Sequence, residues 1–172
     1  PVPDSGVPAS LGYAEESGKQ FELGLIRNHY VGRTFIEPTQ NIRSLGVKLK
    51  LSSTKTIVKN KSVILIDDSL VRGTTCHKIV KMLYEAGAKE IHVRIACPEI
   101  KFPDFYGVDM PTKKELLAHE KSLEEMSNYI KAKSLKFLSI NGLYKALTGS
   151  IRNSNYPQFS DHYFTGCLLY TS

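Results

Sequence analysis

The stretch that most constrains the fold is SVILIDDSLVRGTT, Ser62 to Thr75. Its apolar run Val63-Ile64-Leu65-Ile66 is short, rich in β-branched residues and flanked by polar ones, which predicts a buried strand. Two carboxylates follow, Asp67 and Asp68, then Ser69, Arg72 and Gly73-Thr74-Thr75. A helical pattern begins there. A strand that ends in acids and turns through Gly and hydroxyls into a helix suits an anionic ligand, because backbone N–H groups and the positive end of the helix dipole meet a phosphate at that point. The acids would repel that phosphate. A ribose, whose hydroxyls donate to carboxylates, or a Mg²⁺ that bridges acids and phosphate resolves the conflict. The competing reading is a solvated acidic loop with a helix cap, but the full order of residue types is more demanding than that reading requires.

The downstream pattern sets the topology. Ile79, Val80, Met82, Leu83 and Ala86 fall at helical spacing from about Thr75, and Gly87 is a ready stop. Ile91, Val93, Ile95 and Cys97 alternate with His92, Arg94 and Ala96, the mark of a half-buried strand. Strand, helix, strand at this spacing is a βαβ unit, hence a parallel sheet. Such sheets bind ligands at the carboxyl ends of their strands, where Asp67 and Asp68 fall. Pro98 to Met110 is expected to be loop. Thr112 with Glu115 has the spacing of a capping box before a helical region from Leu116 to Ile130, in one or two pieces. Leu135 to Ile140 is a further short strand, and Ser139 or Asn141 caps a helix that ends at Gly149.

Upstream, Asp4-Ser5-Gly6 is a turn signal before a short helix that ends at Gly18, a second place for a phosphate. A strand is expected around Glu22 to Ile26, and another near Val47 to Leu51. Between them lies a long Gly-, Pro- and cation-rich loop. Loops of that length in a compact domain are commonly functional. Arg27 to Lys61 holds eight Lys or Arg and one acid, Glu37, a local charge of +7 in a chain whose net charge is +6. The segment suits a small polyanion, and its cations favour a lid closing over one. No nucleic-acid-binding motif accompanies it.

Composition bounds the rest. A chain of 172 residues suits one domain with a proper core. No apolar run is long enough to span a bilayer and no signal-peptide pattern is present, so the expected location is cytoplasmic. Cys76, Cys97 and Cys167 are widely spaced and read as reduced thiols. The opening at Pro1, a Pro-flanked turn with no strand before it, suggests a segment upstream.

The Ser62–Thr75 string resembles the phosphoribosyl pyrophosphate (PRPP) signature of the type I phosphoribosyltransferases. A narrower resemblance runs from about Pro1 to Gly166. VPDSG, NHYVGRTFIEPTQ, IDDSLVRGTT, AGAKEIHVRIACPEI and FYGVDMPTKKEL occur in the order found in the amidophosphoribosyltransferase family. The resemblance implies an α/β type I phosphoribosyltransferase fold, a mainly parallel central sheet flanked by helices with a flexible lid loop. It places that domain at residues 1–150, without its first strand or the glutaminase domain, and a C-terminal segment at 151–172.

The implied reaction is displacement of pyrophosphate from PRPP by ammonia, drawn from glutamine in the full enzyme, to give 5-phosphoribosylamine, the first step of purine synthesis. By position, Asp4, Ser5 and Gly6 match the pyrophosphate loop. Asp67 and Asp68 match the acids that grip ribose and Mg²⁺, with Ser5 beside the metal. Ser69, Arg72, Gly73, Thr74 and Thr75 match the 5′-phosphate loop. Arg33 and Lys50 match lid cations that act on PRPP, and Tyr30 and Ile36 match the wall of the ammonia passage. The resemblance also implies purine nucleotide inhibitors and a homo-oligomer in the full-length form, with neither nucleic acid nor membrane as partner.

Three departures accompany it. The family's glutaminase nucleophile is an N-terminal Cys, and this chain begins with Pro1, so by itself it would use only free ammonia. Asp104, Ser160 and Tyr163 stand at positions that hold iron–sulfur ligands in some members, so no cluster is expected. Cys167 to Ser172 departs from the family pattern. Two other functions fit the motif, a phosphoribosyltransferase that uses a nucleobase and a non-catalytic PRPP-binding regulator.

Overall fold

The computed structural model describes residues 1–28, 51–104, 112–155 and 158–168. Helix α1 spans Val7–Ser17, with Pro8 in its first turn and Gly18 in the left-handed conformation at its end. Two short strands, β1 (Leu25–Arg27) and β2 (Leu51–Ser53), pair antiparallel, Ile26 opposite Ser52. β1 starts later than the expected Glu22, and of the strand expected near Val47 to Leu51 only Leu51 lies among the described residues. Their pairing is closed by Thr54 N–H donating to the Gly24 carbonyl at 2.9 Å, which fixes the register from the C-terminal side of β2. A one-turn helix α2 (Lys55–Val58), absent from the sequence expectations, follows and buries Val58.

The main sheet is parallel in the order β3 (Ser62–Asp67), β4 (Glu90–Ile95), β5 (Ser134–Phe137). Helix α3 (Thr74–Glu85) crosses from β3 to β4. Its apolar positions Cys76, Ile79, Val80 and Leu83 share one face at helical spacing and are all buried. Ile91 and Val93 of β4 are fully buried in the same core. Gly87 takes a positive φ of 97° just past the helix and turns the chain back toward the sheet.

Beyond β4, a 3₁₀ turn (Lys113–Glu115) leads to α4 (Leu117–Glu120) and α5 (Leu123–Ile130). The capping box expected at Thr112 and Glu115 does not form; Thr112 makes no side-chain cap bond. The box lies at Ser122 and Glu125, with Ser122 N–H to Glu125 Oε2 at 2.7 Å and Glu125 N–H to Ser122 Oγ at 3.3 Å. Both strings have the right spacing, and the Glu115 carboxylate is taken by a cation elsewhere, Arg72. Ser139, not Asn141, caps α6 (Ile140–Thr148) through the Gly142 N–H. Helix α7 (His162–Thr165) lies beyond Gly149, in a stretch for which the sequence reading places no element.

Candidate active site

The carboxyl end of β3 carries the site. Asp67 is its last residue and continues the ladder, its carbonyl accepting from Ala96 N–H at 2.9 Å. The Asp67 side chain is nearly hidden, and Asp68 beside it is exposed. Asp68 N–H donates to Asp67 Oδ1 at 3.0 Å. Burial, and after it the neighbouring Asp68 carboxylate, push the Asp67 carboxyl up to about 7. The same burial, with Asp67 nearby, pushes the Cys76 thiol up to about 12, and Cys97 rises to about 11, so both thiols stay protonated and unreactive at neutral pH. The three cysteines are free, as the sequence suggests.

The turn at residues 2–6 is seated on this strand end. Val2 N–H donates to the Ile66 carbonyl at 2.7 Å, and Gly6 N–H returns to the Val2 carbonyl at 2.9 Å. A Cβ on Gly6 would stand 2.5 Å from the Ile66 carbonyl oxygen, so only glycine allows this seating. Asp4 and Ser5 remain exposed, and Asp4 Oδ2 accepts from Arg27 Nη1 of β1 at 2.6 Å. The structure thus brings the 4–6 turn and the acid pair, 61 positions apart in sequence, to one strand terminus.

The loop from Asp68 to Thr75 completes that end. Leu70 is buried beneath it and Ser69 is half-buried. Gly73 precedes α3 with φ 74°. The first turn of α3 holds no acid and no side-chain cap bond, and Thr74 and Thr75 are exposed. Those first N–H groups lack helical acceptors and are oriented for an anion. Arg72 is exposed and ion-paired with Glu115. Glu115, Leu117 and Tyr129, which back this loop, were not expected at the site from the sequence pattern. They come from a segment more than forty residues away, and no local spacing announces the contact.

Tyr30, Arg33, Ile36 and Lys50 lie outside the described residues. Asp104, Ser160 and Tyr163 come together around His162, away from the acid pair. His162 Nε2 donates to Asp104 Oδ1 at 3.1 Å, and its Nδ1 meets Ser160 Oγ at 3.0 Å. Burial, then Asp104, push the Tyr163 hydroxyl up. Among the described residues no group of three or more His, Cys, Asp or Glu could hold a metal by itself. No helix among the described residues is long and apolar enough to cross a membrane.

A parallel sheet whose β3 ends in an acid pair and opens into a Gly-Thr-Thr helix entrance is the architecture of the type I phosphoribosyltransferases. No protein-family model matches the chain. It is 62% identical over 167 residues to the amidophosphoribosyltransferase of Rhizobium etli, 96% of this chain and 34% of the relative. It is 53% identical to the chloroplastic amidophosphoribosyltransferase of Glycine max, over 94% of this chain and 28% of that protein. The glutamine PRPP amidotransferase of B. subtilis, solved in complex with ADP and GMP, superposes with a TM-score of 0.83 at 49% identity, covering 97% of this chain and 36% of that one. Over nearly all of its length the chain is similar to amidophosphoribosyltransferases, and it spans about a third of the length of the curated relatives it matches.

Proposed function

We propose that this chain carries the phosphoribosyl-transfer site of an amidophosphoribosyltransferase. Ammonia attacks C1 of PRPP, the bond from C1 to the pyrophosphate oxygen breaks, pyrophosphate leaves with the bonding electrons, and the new ammonium gives up a proton to yield 5-phosphoribosylamine. The observation that carries the reading is the convergence of the 4–6 turn, the acid pair and the Gly73-Thr74-Thr75 helix entrance on the end of β3.

Each part has a role in that reaction. The loop from Ser69 through Arg72 to Thr75 receives the 5′-phosphate. Asp67 and Asp68 accept from the ribose hydroxyls and hold the ring while positive charge develops on it. Ser5 and the peptide groups of the 4–6 turn face the pyrophosphate. Arg33 and Lys50 neutralise the leaving group, and Tyr30 and Ile36 line the path by which ammonia arrives from a glutaminase domain. The donor set fits Mg²⁺. Asp67 is a buried carboxyl pushed up by a second acid, which a cation would relieve, and Mg²⁺ takes one or two carboxylates and fills its shell with water and substrate oxygens. Asp67, Asp68 and Ser5 would hold it, and when bound it supplies charge neutralisation to the departing pyrophosphate.

The ADP and GMP bound to the B. subtilis protein support purine nucleotides as ligands of this chain too. A homo-oligomer and a cytoplasmic location are part of the same proposal, the latter supported by substrates that are water-soluble phosphates.

The test is pyrophosphate release from Mg²⁺-PRPP by the full-length protein with ammonia, glutamine, orotate, hypoxanthine or no acceptor. Release with ammonia and with glutamine is expected. Release with a nucleobase alone would move the chain to another transferase class, and PRPP binding without release under any condition would make it a regulator.

A further inference from the structure

The 5′-phosphate loop is held from outside. Leu117 N–H donates to the Val71 carbonyl at 2.9 Å. Next to it, Glu115 Oε2 accepts from Arg72 Nε at 2.8 Å and lies 2.7 Å from Arg72 Nη2. Gly73 presses against the same strip, where a Cβ would stand 2.6 Å from Leu117 Cδ2 and 3.1 Å from Tyr129 Cε1. His77 Nδ1 meets the Tyr129 carbonyl at 2.8 Å and ties α3 to α5 just behind the loop. Three consecutive loop residues are thus each fixed by a contact from the 113–129 segment.

The guanidinium geometry decides what Arg72 does. Its Nε–Nη2 edge, one of the two forks through which a guanidinium grips a phosphate with two donors, is committed to a single carboxylate oxygen. We propose that Glu115 is a positioning residue for the phosphate loop, and that Arg72 acts through it as a brace, not as a ligand of the phosphate. The inference rests on the phosphoribosyl-transfer reading above and reassigns one residue within it. The phosphate then meets backbone N–H groups and the Ser69, Thr74 and Thr75 hydroxyls. Both ends of the ion pair are about half exposed, so its share of global stability is small. Its effect falls on the shape of a loop that must close around a dianion.

The experiment is steady-state kinetics of the full-length enzyme with ammonia as nucleophile, on Glu115→Ala, Glu115→Gln, Arg72→Ala and the Arg72→Ala/Glu115→Ala pair. Glu115→Ala is expected to raise KM for PRPP about fivefold and to leave kcat within about twofold and the melting temperature unchanged. Glu115→Gln, which keeps an acceptor, recovers most of the loss. The double variant is no worse than either single one, because the two residues act as one unit. Amide exchange at residues 71–75, read on the same proteins, should speed up in Glu115→Ala.

A wild-type KM in Glu115→Ala beside a loss above about a hundredfold in Arg72→Ala would make Arg72 a direct ligand and overturn the inference. Additive losses in the double variant would overturn it as well. A wild-type enzyme that releases no pyrophosphate defeats the reaction reading instead. The brace is then decided by the exchange data, and unchanged exchange in Glu115→Ala refutes it.

Discussion

Asp67 and Asp161 are hidden to nearly the same degree, 9% and 4% exposed, and their surroundings are opposite. Burial by itself would push the Asp161 carboxyl up, but hydrogen bonds from Arg152, Tyr144 and Thr165 outweigh it and hold the group below its ordinary range. Arg152 Nε lies 2.5 Å from Oδ2, the Tyr144 hydroxyl donates at 2.8 Å and the Thr165 hydroxyl at 2.9 Å. Around Asp67 burial first, and the second acid after it, push the carboxyl up, and one backbone N–H and the Pro1 ammonium are too little to offset them. Burial therefore does not separate structural acids from functional ones; the donors around them do. Asp161 is balanced by the chain itself. Asp67 lacks a cationic side chain partner among the described residues, and its charge is balanced when something with positive charge or donor hydroxyls arrives.

The largest test of this contrast exchanges the two roles. Asp67→Asn/Asp68→Asn should cut kcat/KM for PRPP by at least about a hundredfold, since the proposed ribose contacts and the proposed metal donors both go. The melting temperature should hold or rise, because a poorly compensated buried charge is removed. Pyrophosphate release and a thermal melt on one preparation check both halves. A melt that drops sharply would mean Asp67 is structural after all.

Asp161→Ala should do the reverse. It strands Arg152, whose side chain is 11% exposed, and two hydroxyl donors. Breaking a buried pair from one side costs about 3–5 kcal/mol. Urea unfolding should show that loss, with kcat per folded molecule unchanged, because the pair lies on the 152–165 segment and not at the end of β3.

The pH dependence sharpens the comparison further. Asp161 has a folded-state pKa below its unfolded value, so its stabilisation is complete above the ordinary carboxylate value of about 3.9 and fades as the pH falls through the folded value. Stability of the wild type should therefore decline below about pH 4 more steeply than that of Asp161→Asn, which carries no such proton. Unfolding curves at pH 7 and pH 3 for both proteins measure it.

The two regions were also unequally legible in the sequence. Around Asp67 the strand, the acids and the Gly-Thr-Thr entrance are contiguous, so local periodicity and order suffice. The sheet followed from the same logic, since β3, α3 and β4 each announce their period. The Arg152–Asp161–Tyr144 network was not legible. It joins α6 to an irregular stretch through side chains nine and seventeen residues apart, and no periodic pattern encodes such a contact. The partnership of Glu115 with Arg72 failed for a sharper reason. The sequence offered Glu115 a local partner, the Thr112 cap, and a cation distant in sequence won.

That competition makes the smallest prediction. Thr112 and Ser122 each stand three residues before a Glu, yet only Ser122 forms the reciprocal pair. Ser122→Ala should cost about 1 kcal/mol, the ordinary worth of a helix cap, and Thr112→Ala close to nothing. Helix α5 carries Tyr129 against Gly73, so the Ser122 variant probes the support behind the phosphate loop without touching its donors. If KM for PRPP stays at the wild-type value while stability drops, then α5 supplies rigidity in surplus and the contrast between the two regions holds. If KM rises with the lost cap, the end of β3 depends on its backing as closely as Asp161 depends on Arg152, and the division between a balanced acid and an open one would be a matter of degree. Equal losses from Thr112→Ala and Ser122→Ala would instead mean that Thr112 caps the 3₁₀ turn in solution and that Glu115 divides its carboxylate between that cap and Arg72.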